Sequence, residues 1–155
     1  MIDAHQHFWR LARGDYGWLT PEQAVLYRDF EPTHLAPLMK AAGIGRSIVV
    51  QAAPSLEETH FLLAIAEQTP WVAGVVGWVD LERPDAPDVL AEIARDARLR
   101  GVRPMIQDIP DPDWMLGRHL APAFRALVTA ASIVYPLASP SSTRTASLPL
   151  SVSTT

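Results

Sequence analysis

Apolar residues along this chain fall into short runs separated by longer amphipathic stretches, and the two kinds alternate. Four short runs predict strands, at residues 2–5, 47–51, 72–78 and 101–106. Ile48-Val49-Val50 and Val75-Val76 are β-branched with little polar alternation, the pattern of strands buried on both faces of a parallel sheet. Between them, apolar residues recur at helical spacing. Leu35, Leu38, Met39 and Ala42 form one such set, with Gly43 as a stop signal and Pro37 expected in or near the first turn. Ser55 and Glu58 have the form of a capping box ahead of Phe61, Leu62, Ile65 and Ala66. Asp85-Ala86-Pro87-Asp88 opens a third helix, with Val89, Leu90, Ile93, Ala94 and Ala97 on its apolar face. A fourth is predicted over about 118–130, with Leu120, Phe124, Leu127 and Val128 facing inward.

Strand followed by helix, four times over, predicts an α/β fold with a parallel sheet, because each parallel strand needs a crossover. The first interval is longer than the others. Residues 8–31 insert a loop holding Phe8, Trp9, Tyr16, Trp18, Tyr27 and Phe30 directly after the first strand. In α/β folds the loops at the C-terminal ends of strands carry the chemistry. The loop therefore reads as a lid or binding wall, with Trp9 as a candidate substrate contact. In the plainer reading it packs under the sheet or against a neighbouring subunit.

Composition narrows the possibilities. A length of 155 residues, 48% apolar, suits one domain with a real core. Thirteen basic against 17 acidic residues leave a net charge of −4 and no polybasic footprint, which argues against nucleic acid as a partner. The absence of cysteine excludes disulfides, CxxC zinc sites and thiol catalysis. No apolar run has the length of a membrane span, and the N-terminus has no signal-peptide pattern, so the expected location is the cytoplasm. Residues 129–155 break the composition: they carry one charge, Arg144, beside twelve Ser or Thr and three Pro. The expected organisation is a folded unit over 1–130 and a Ser/Thr/Pro-rich tail over 131–155, disordered by composition, in which 133–137 could still supply a fifth strand.

The most informative tripeptide is His5-Gln6-His7. Residues i and i+2 of a strand share a face, so the two imidazoles converge at the end of the first strand. Neutral imidazole is a common ligand for zinc and similar ions. His5 and His7 thus read as metal ligands or, more plainly, as a hydrogen-bonded pair that anchors the loop. Other candidates sit at equivalent strand ends: Gln51 after the second strand, Trp78 and Asp80 after the third, Arg103 and Gln107 around the fourth. The fork of Arg103 suits a carboxylate or a developing oxyanion, or an ion pair with Asp108 or Asp111. Asp80 serves equally well as a loop or cap residue. His34, His60 and His119 fall in helical segments and read as surface or packing residues. Glycine-rich phosphate cradles and the GxSxG elbow are absent from the sequence.

Several of these blocks together resemble a known family. The opening Met1-Ile2-Asp3-Ala4-His5-Gln6-His7-Phe8-Trp9 is similar to that of the amidohydrolase-related ("amidohydrolase 2") family, and most closely to its sugar-acid lactonase branch. Val49 to Ser55, Val75 to Leu81, and Gly101-Val102-Arg103 with Gln107 to Asp113 agree with it in order. The resemblance implies hydrolysis of a sugar-acid lactone, a cyclic ester, by an activated water. It also implies a (β/α)8 TIM barrel, of which this chain offers the N-terminal half, about four βα units, followed by an irregular tail. It implies His5 and His7 as ligands of one divalent, zinc-like metal, or as their counterparts in members without metal. Trp9, Gln51, Trp78, Arg103 and Gln107 become substrate-binding candidates. A His frequent after the Gly-Val-Arg block is Pro104 here. The general-base Asp that the family carries on its eighth strand has no counterpart in this chain, so weak or absent activity is expected. From about residue 129 the sequence reads as a shifted reading frame or an in-frame remnant, and open barrel edges are expected to favour self-association. The competing reading is a non-catalytic fragment or small open α/β domain that binds a sugar acid or a partner subunit.

Overall fold

The alternating pattern resolves into five parallel strands joined by four helices. The computed structural model describes residues 1–130 and the backbone of Ile133 and Val134. In chain order the elements are β1 (Ile2–Gln6), α1 (Pro32–Ala41), β2 (Arg46–Val50), α2 (Leu56–Gln68), β3 (Val72–Gly77), α3 (Ala86–Ile93), β4 (Leu99–Val102), α4 (Ala121–Thr129) and β5 (Ile133–Val134). The strands lie side by side in that same order and every pair is parallel. A sheet that adds each new strand beside the last, with a helix in every crossover, is half of a (β/α)8 barrel. The first three strand pairs each contain a register shift. Between β3 and β4, Val75 pairs with Leu99 and Val76 with Gly101, which leaves Arg100 as an extra residue. Bulges of this kind bend a strand and increase its twist, as a sheet curling toward closure requires.

The main core lies between the sheet and the helices. Val49, Val75 and Val102 project from the strands against Leu62 and Ile65 of α2, Leu90 and Ile93 of α3, and Leu127 of α4, all nearly inaccessible. β-Branched residues fill the pleated side and mostly leucines the helical side, each where its rotamers fit best. At the end of β3 the packing is closest. Thr59 Oγ1 of α2 accepts the Trp78 N–H at 2.7 Å and donates to the Trp78 carbonyl at 2.8 Å. A Cβ on Gly77 would lie 2.8 Å from that same oxygen, so only glycine permits the approach.

Several boundaries differ from the expected ones. β4 begins two residues early and stops at Val102, because Pro104 offers no ladder N–H and the chain turns into a 3-10 turn at Ile106–Asp108. α1 starts at Pro32, where a missing N–H is harmless, so Pro37 lies inside the helix and not in its first turn. Gly43 does terminate that segment, in the left-handed conformation with φ 67°. Ala97 lies beyond the end of α3. α4 is preceded by a separate 3-10 turn at Arg118–Leu120, and Val128 points outward at 80% exposure beside the buried Leu127. β5 falls within the stretch expected to be tail; the remainder of that stretch, 131–132 and 135–155, lies outside the described residues. Among the described residues no helix is long and apolar enough to cross a membrane.

The core layer sets the first expected outcome. Leu90 is 1% exposed between α3 and the sheet. Leu90→Ala should lower the unfolding free energy by about 2–5 kcal/mol, read from the urea midpoint. A change below about 0.5 kcal/mol, the range of surface substitutions, would contradict this packing.

Candidate active site

The C-terminal ends of β1, β2 and β4 converge on one cleft. It has a volume of about 650 Å³ and is lined by His7 and Trp9 after β1, Ala52 and Pro54 after β2, Arg103, Met105, Gln107 and Asp108 after β4, and Asp15, Gly17 and Trp18 from the long first loop. This is the end of a parallel α/β sheet where substrates bind.

His5 and His7 meet as the strand period requires. Their Nε2 atoms are 3.0 Å apart, with the rings nearly perpendicular at 77°. His7 Nδ1 lies 2.8 Å from the Val50 carbonyl oxygen, which can only accept. The Nδ1 proton is therefore fixed, and in the neutral ring Nε2 carries the lone pair. In the absence of a cation, His5 Nε2–H donates to that lone pair. Burial, reinforced at His5 by the Arg103 charge, holds the pKa of His5 below its ordinary value. Burial does the same at His7, opposed by the bond to Val50 and aided by His5 and Arg103. Both rings are thus kept in the neutral form that ligates metal.

The end of β2 organises the rest. Val50 fixes His7. Gln51, fully buried, donates from Nε2 to the Arg103 carbonyl at 3.1 Å, and the Arg103 guanidinium approaches the Gln51 carbonyl at 3.5 Å. Gln51 Oε1 is buried with no hydrogen-bond partner among the described residues. The Ala52 carbonyl accepts from the Trp18 indole at 2.8 Å, and the Ala52 N–H donates to Glu58 at 3.0 Å. The aromatic loop is thereby a wall of the cleft. Its neck is closed by the antiparallel bridge Trp9–Phe30, with the Trp9 ring tilted against Phe30 and edge-to-face with Trp18. Trp9, Tyr16 and Leu19 form a second small core with Ala52 and Ala53.

Of the residues singled out from sequence, His7, Trp9, Arg103 and Gln107 line the cleft. His5 stands against His7, and Gln51 lies behind Arg103. Gln107 sits in the 3-10 turn, its amide donating to Asp108 at 3.2 Å. Trp78 is placed elsewhere: with Asp80, Arg83 and Asp85 it lines a second cavity of about 450 Å³ that shares Pro54 with the first. His34 caps α1 by accepting the Glu31 N–H at 3.1 Å, and His119 stands 3.3 Å from Glu82 at the surface. The sequence reading missed the role of Glu58. Its N–H does bond Ser55 Oγ, but its carboxylate turns away from the cap to Ala52, Tyr16 and Arg13. Its place at the third position of the helix signals only a cap; its partner Tyr16 is 42 residues away.

A pair of histidines at the end of the first strand stands beside a cleft at the C-terminal face of a half barrel. The amidohydrolase family profile matches residues 2–153, and the chain belongs to that family. It is 48% identical over 127 residues to an L-fucono-1,5-lactonase of Burkholderia ambifaria, covering 82% of this chain and 44% of that protein. It is 46% identical over 110 residues to an L-fucono-1,5-lactonase of Burkholderia multivorans, covering 71% of this chain and 37% of that protein. The crystal structure of a Burkholderia multivorans amidohydrolase with bound zinc superposes with a TM-score of 0.78 at 40% identity, over 86% of this chain and 47% of the other. The chain spans less than half the length of the curated relatives it matches.

The histidine pair has a measurable consequence for stability. The unfolded chain protonates these rings near 6.5, and the folded chain only at lower pH. Between those values the unfolded state binds more protons, so stability is fully present above 6.5 and declines as pH falls through the window below it. Urea midpoints at pH 7.5, 6.0 and 5.0 should fall in that order, and the decline should shrink in His5→Asn/His7→Asn. An identical decline in the double variant would show that other groups carry it.

Proposed function

We propose that this chain forms the His-x-His half of an active site that hydrolyses a sugar-acid lactone, with L-fucono-1,5-lactone as the lead substrate. The observation that carries the reading is the meeting of the two Nε2 atoms beside the Arg103 cleft, and the lactonase relatives supply the substrate class. Two imidazole nitrogens fit as two of the three protein ligands that a catalytic zinc takes. Among the described residues no group of three or more His, Cys, Asp or Glu is placed to hold an ion, so the pair is a partial donor set. A bound divalent cation would lower the pKa of a water and polarise the lactone carbonyl.

The chain's own residues hold and shape. The Val50 carbonyl presents the His7 lone pair toward His5. The indole rings of Trp9 and Trp18 offer apolar surface to the C–H face of a sugar ring. The Arg103 guanidinium, placed beside the histidines, favours negative charge as it develops on the carbonyl oxygen. Gln107 and Asp108 stand at the rim as hydrogen-bonding partners for ring hydroxyls. Among the described residues no third imidazole or carboxylate joins the histidine pair, and hydrolysis by this chain is expected to be slow.

The test is a zinc titration paired with acid release from L-fucono-1,5-lactone. The expected result is one bound zinc per chain and acid release above the spontaneous rate, both abolished in His5→Ala/His7→Ala. Arg103→Ala should keep the zinc and lower kcat/KM by about 10²-fold, the usual effect of removing an oxyanion donor. Zinc uptake indifferent to the double substitution, or acid release no faster than the spontaneous rate with zinc present, would overturn the reading.

A further inference from the structure

A buried carboxylate ties the aromatic loop to the end of β2 beside the cleft. Glu58, with no exposed surface, accepts two hydrogen bonds and pairs with one cation, from two segments: the end of β2 and the aromatic loop. The Ala52 N–H reaches Oε1 at 3.0 Å, the Tyr16 hydroxyl reaches Oε2 at 2.9 Å, and Arg13 Nη2 lies 3.3 Å from Oε2. Arg13 is held in turn: its guanidinium lies 4.4 Å from the centre of the Phe61 ring on α2, its Nε donates to the Tyr16 hydroxyl at 3.1 Å, and its Nη2 pairs with Asp15. Arg13 and Tyr16 flank the loop segment that carries Asp15, and Gly17 and Trp18 follow at once; these three line the cleft. Ala52, after β2, lines it beside them and receives the Trp18 indole on its carbonyl.

We propose that Glu58 is a positioning residue for the hydrolytic site: through Tyr16 and Arg13 on one side and Ala52 on the other, it holds the loop that carries Trp18 against the end of β2 and so governs how tightly the sugar ring is held. This rests on the lactonase reading for its substrate and on the geometry alone for the loop. A carboxylate suits the task better than a neutral group. It accepts both hydrogen bonds and pairs with Arg13 at once, and bonds to an ionised acceptor are about twice as strong as neutral ones. A carboxylate buried in this way would be expensive if its role were only to cap α2, because the Ser55 hydroxyl already serves the Glu58 N–H. Burial pushes the Glu58 carboxyl above its ordinary range, while these three partners pull it back. The Asp15 charge is the like-signed neighbour that Arg13 offsets.

The experiment uses Glu58→Gln, Tyr16→Phe and the double variant, read by hydrogen exchange and by kinetics on L-fucono-1,5-lactone. Each single variant should raise KM about tenfold with kcat within about twofold, the pattern of lost positioning at an intact reacting centre. Amide exchange across residues 11–19 should accelerate while that of β2 and β3 does not. The double variant should resemble the stronger single one, since both changes break the same link. Zinc uptake should be unchanged. A variant that lowers Tm yet leaves both KM and loop exchange at wild-type values would overturn the proposal, as would fully additive effects. If the unsubstituted chain fails to open the lactone, the lactonase reading fails by itself. Loop exchange and acrylamide quenching of Trp18, against a Trp18→Phe control, then still decide whether Glu58 holds the wall.

Discussion

The histidine pair, the aromatic loop and Arg103 are all tied to the three residues at and just after the end of β2. Val50, Gln51 and Ala52 sit where a parallel strand stops and its backbone groups must find new partners. Each finds one in a different part of the site. The Val50 carbonyl takes the His7 ring, the Gln51 side chain takes the Arg103 backbone, and Ala52 takes Trp18 on its carbonyl and Glu58 on its N–H. The loop, the histidine pair and the fourth strand are thereby placed relative to one another before any ligand arrives. Pre-placement of this kind lets a site act on charge as it develops, because its dipoles need not reorganise.

The half-barrel arrangement follows from the same constraint. Parallel strands bring their C-terminal ends to one side, so residues far apart in sequence share a neighbourhood. His7 and Val50 are 43 positions apart, and Gln51 and Arg103 are 52 apart. The sheet–helix core beneath is ordinary in chemistry, built of leucine, isoleucine and valine, and holds the strands at a fixed spacing. The loop's own small core of Trp9, Tyr16 and Leu19 is the part that makes a wall out of an insertion.

Much of this was legible in the sequence, for identifiable reasons. β-Branched runs in β2 and β3 and amphipathic spacing in α2 and α3 mark elements whose burial is dictated by their own residues. The i, i+2 spacing of His5 and His7 carries its geometry within three residues. The boundaries misread were those set by partners or by single backbone groups, such as the early end of β4 before Pro104 and the start of α1 at Pro32. Val128 was misassigned because a short helix whose apolar residues are contiguous does not say which of them faces the core. Glu58 was invisible as a site residue because its meaning depends on Tyr16 and Arg13, which only the folded chain brings to it. The placement of Trp78 beside a second cavity likewise depends on the path of the chain after β3, held by Thr59.

The central claim is that the end of β2 fixes the histidine pair, and the His7 ring reports on it directly. Nitrogen-15 NMR of the imidazole rings, in metal-free protein above pH 7, distinguishes the two neutral tautomers; His7→Gln assigns the signal. The account predicts that His7 carries its proton on Nδ1, donated to Val50, with Nε2 unprotonated. A His7 ring protonated on Nε2, or one averaging between tautomers, would contradict it.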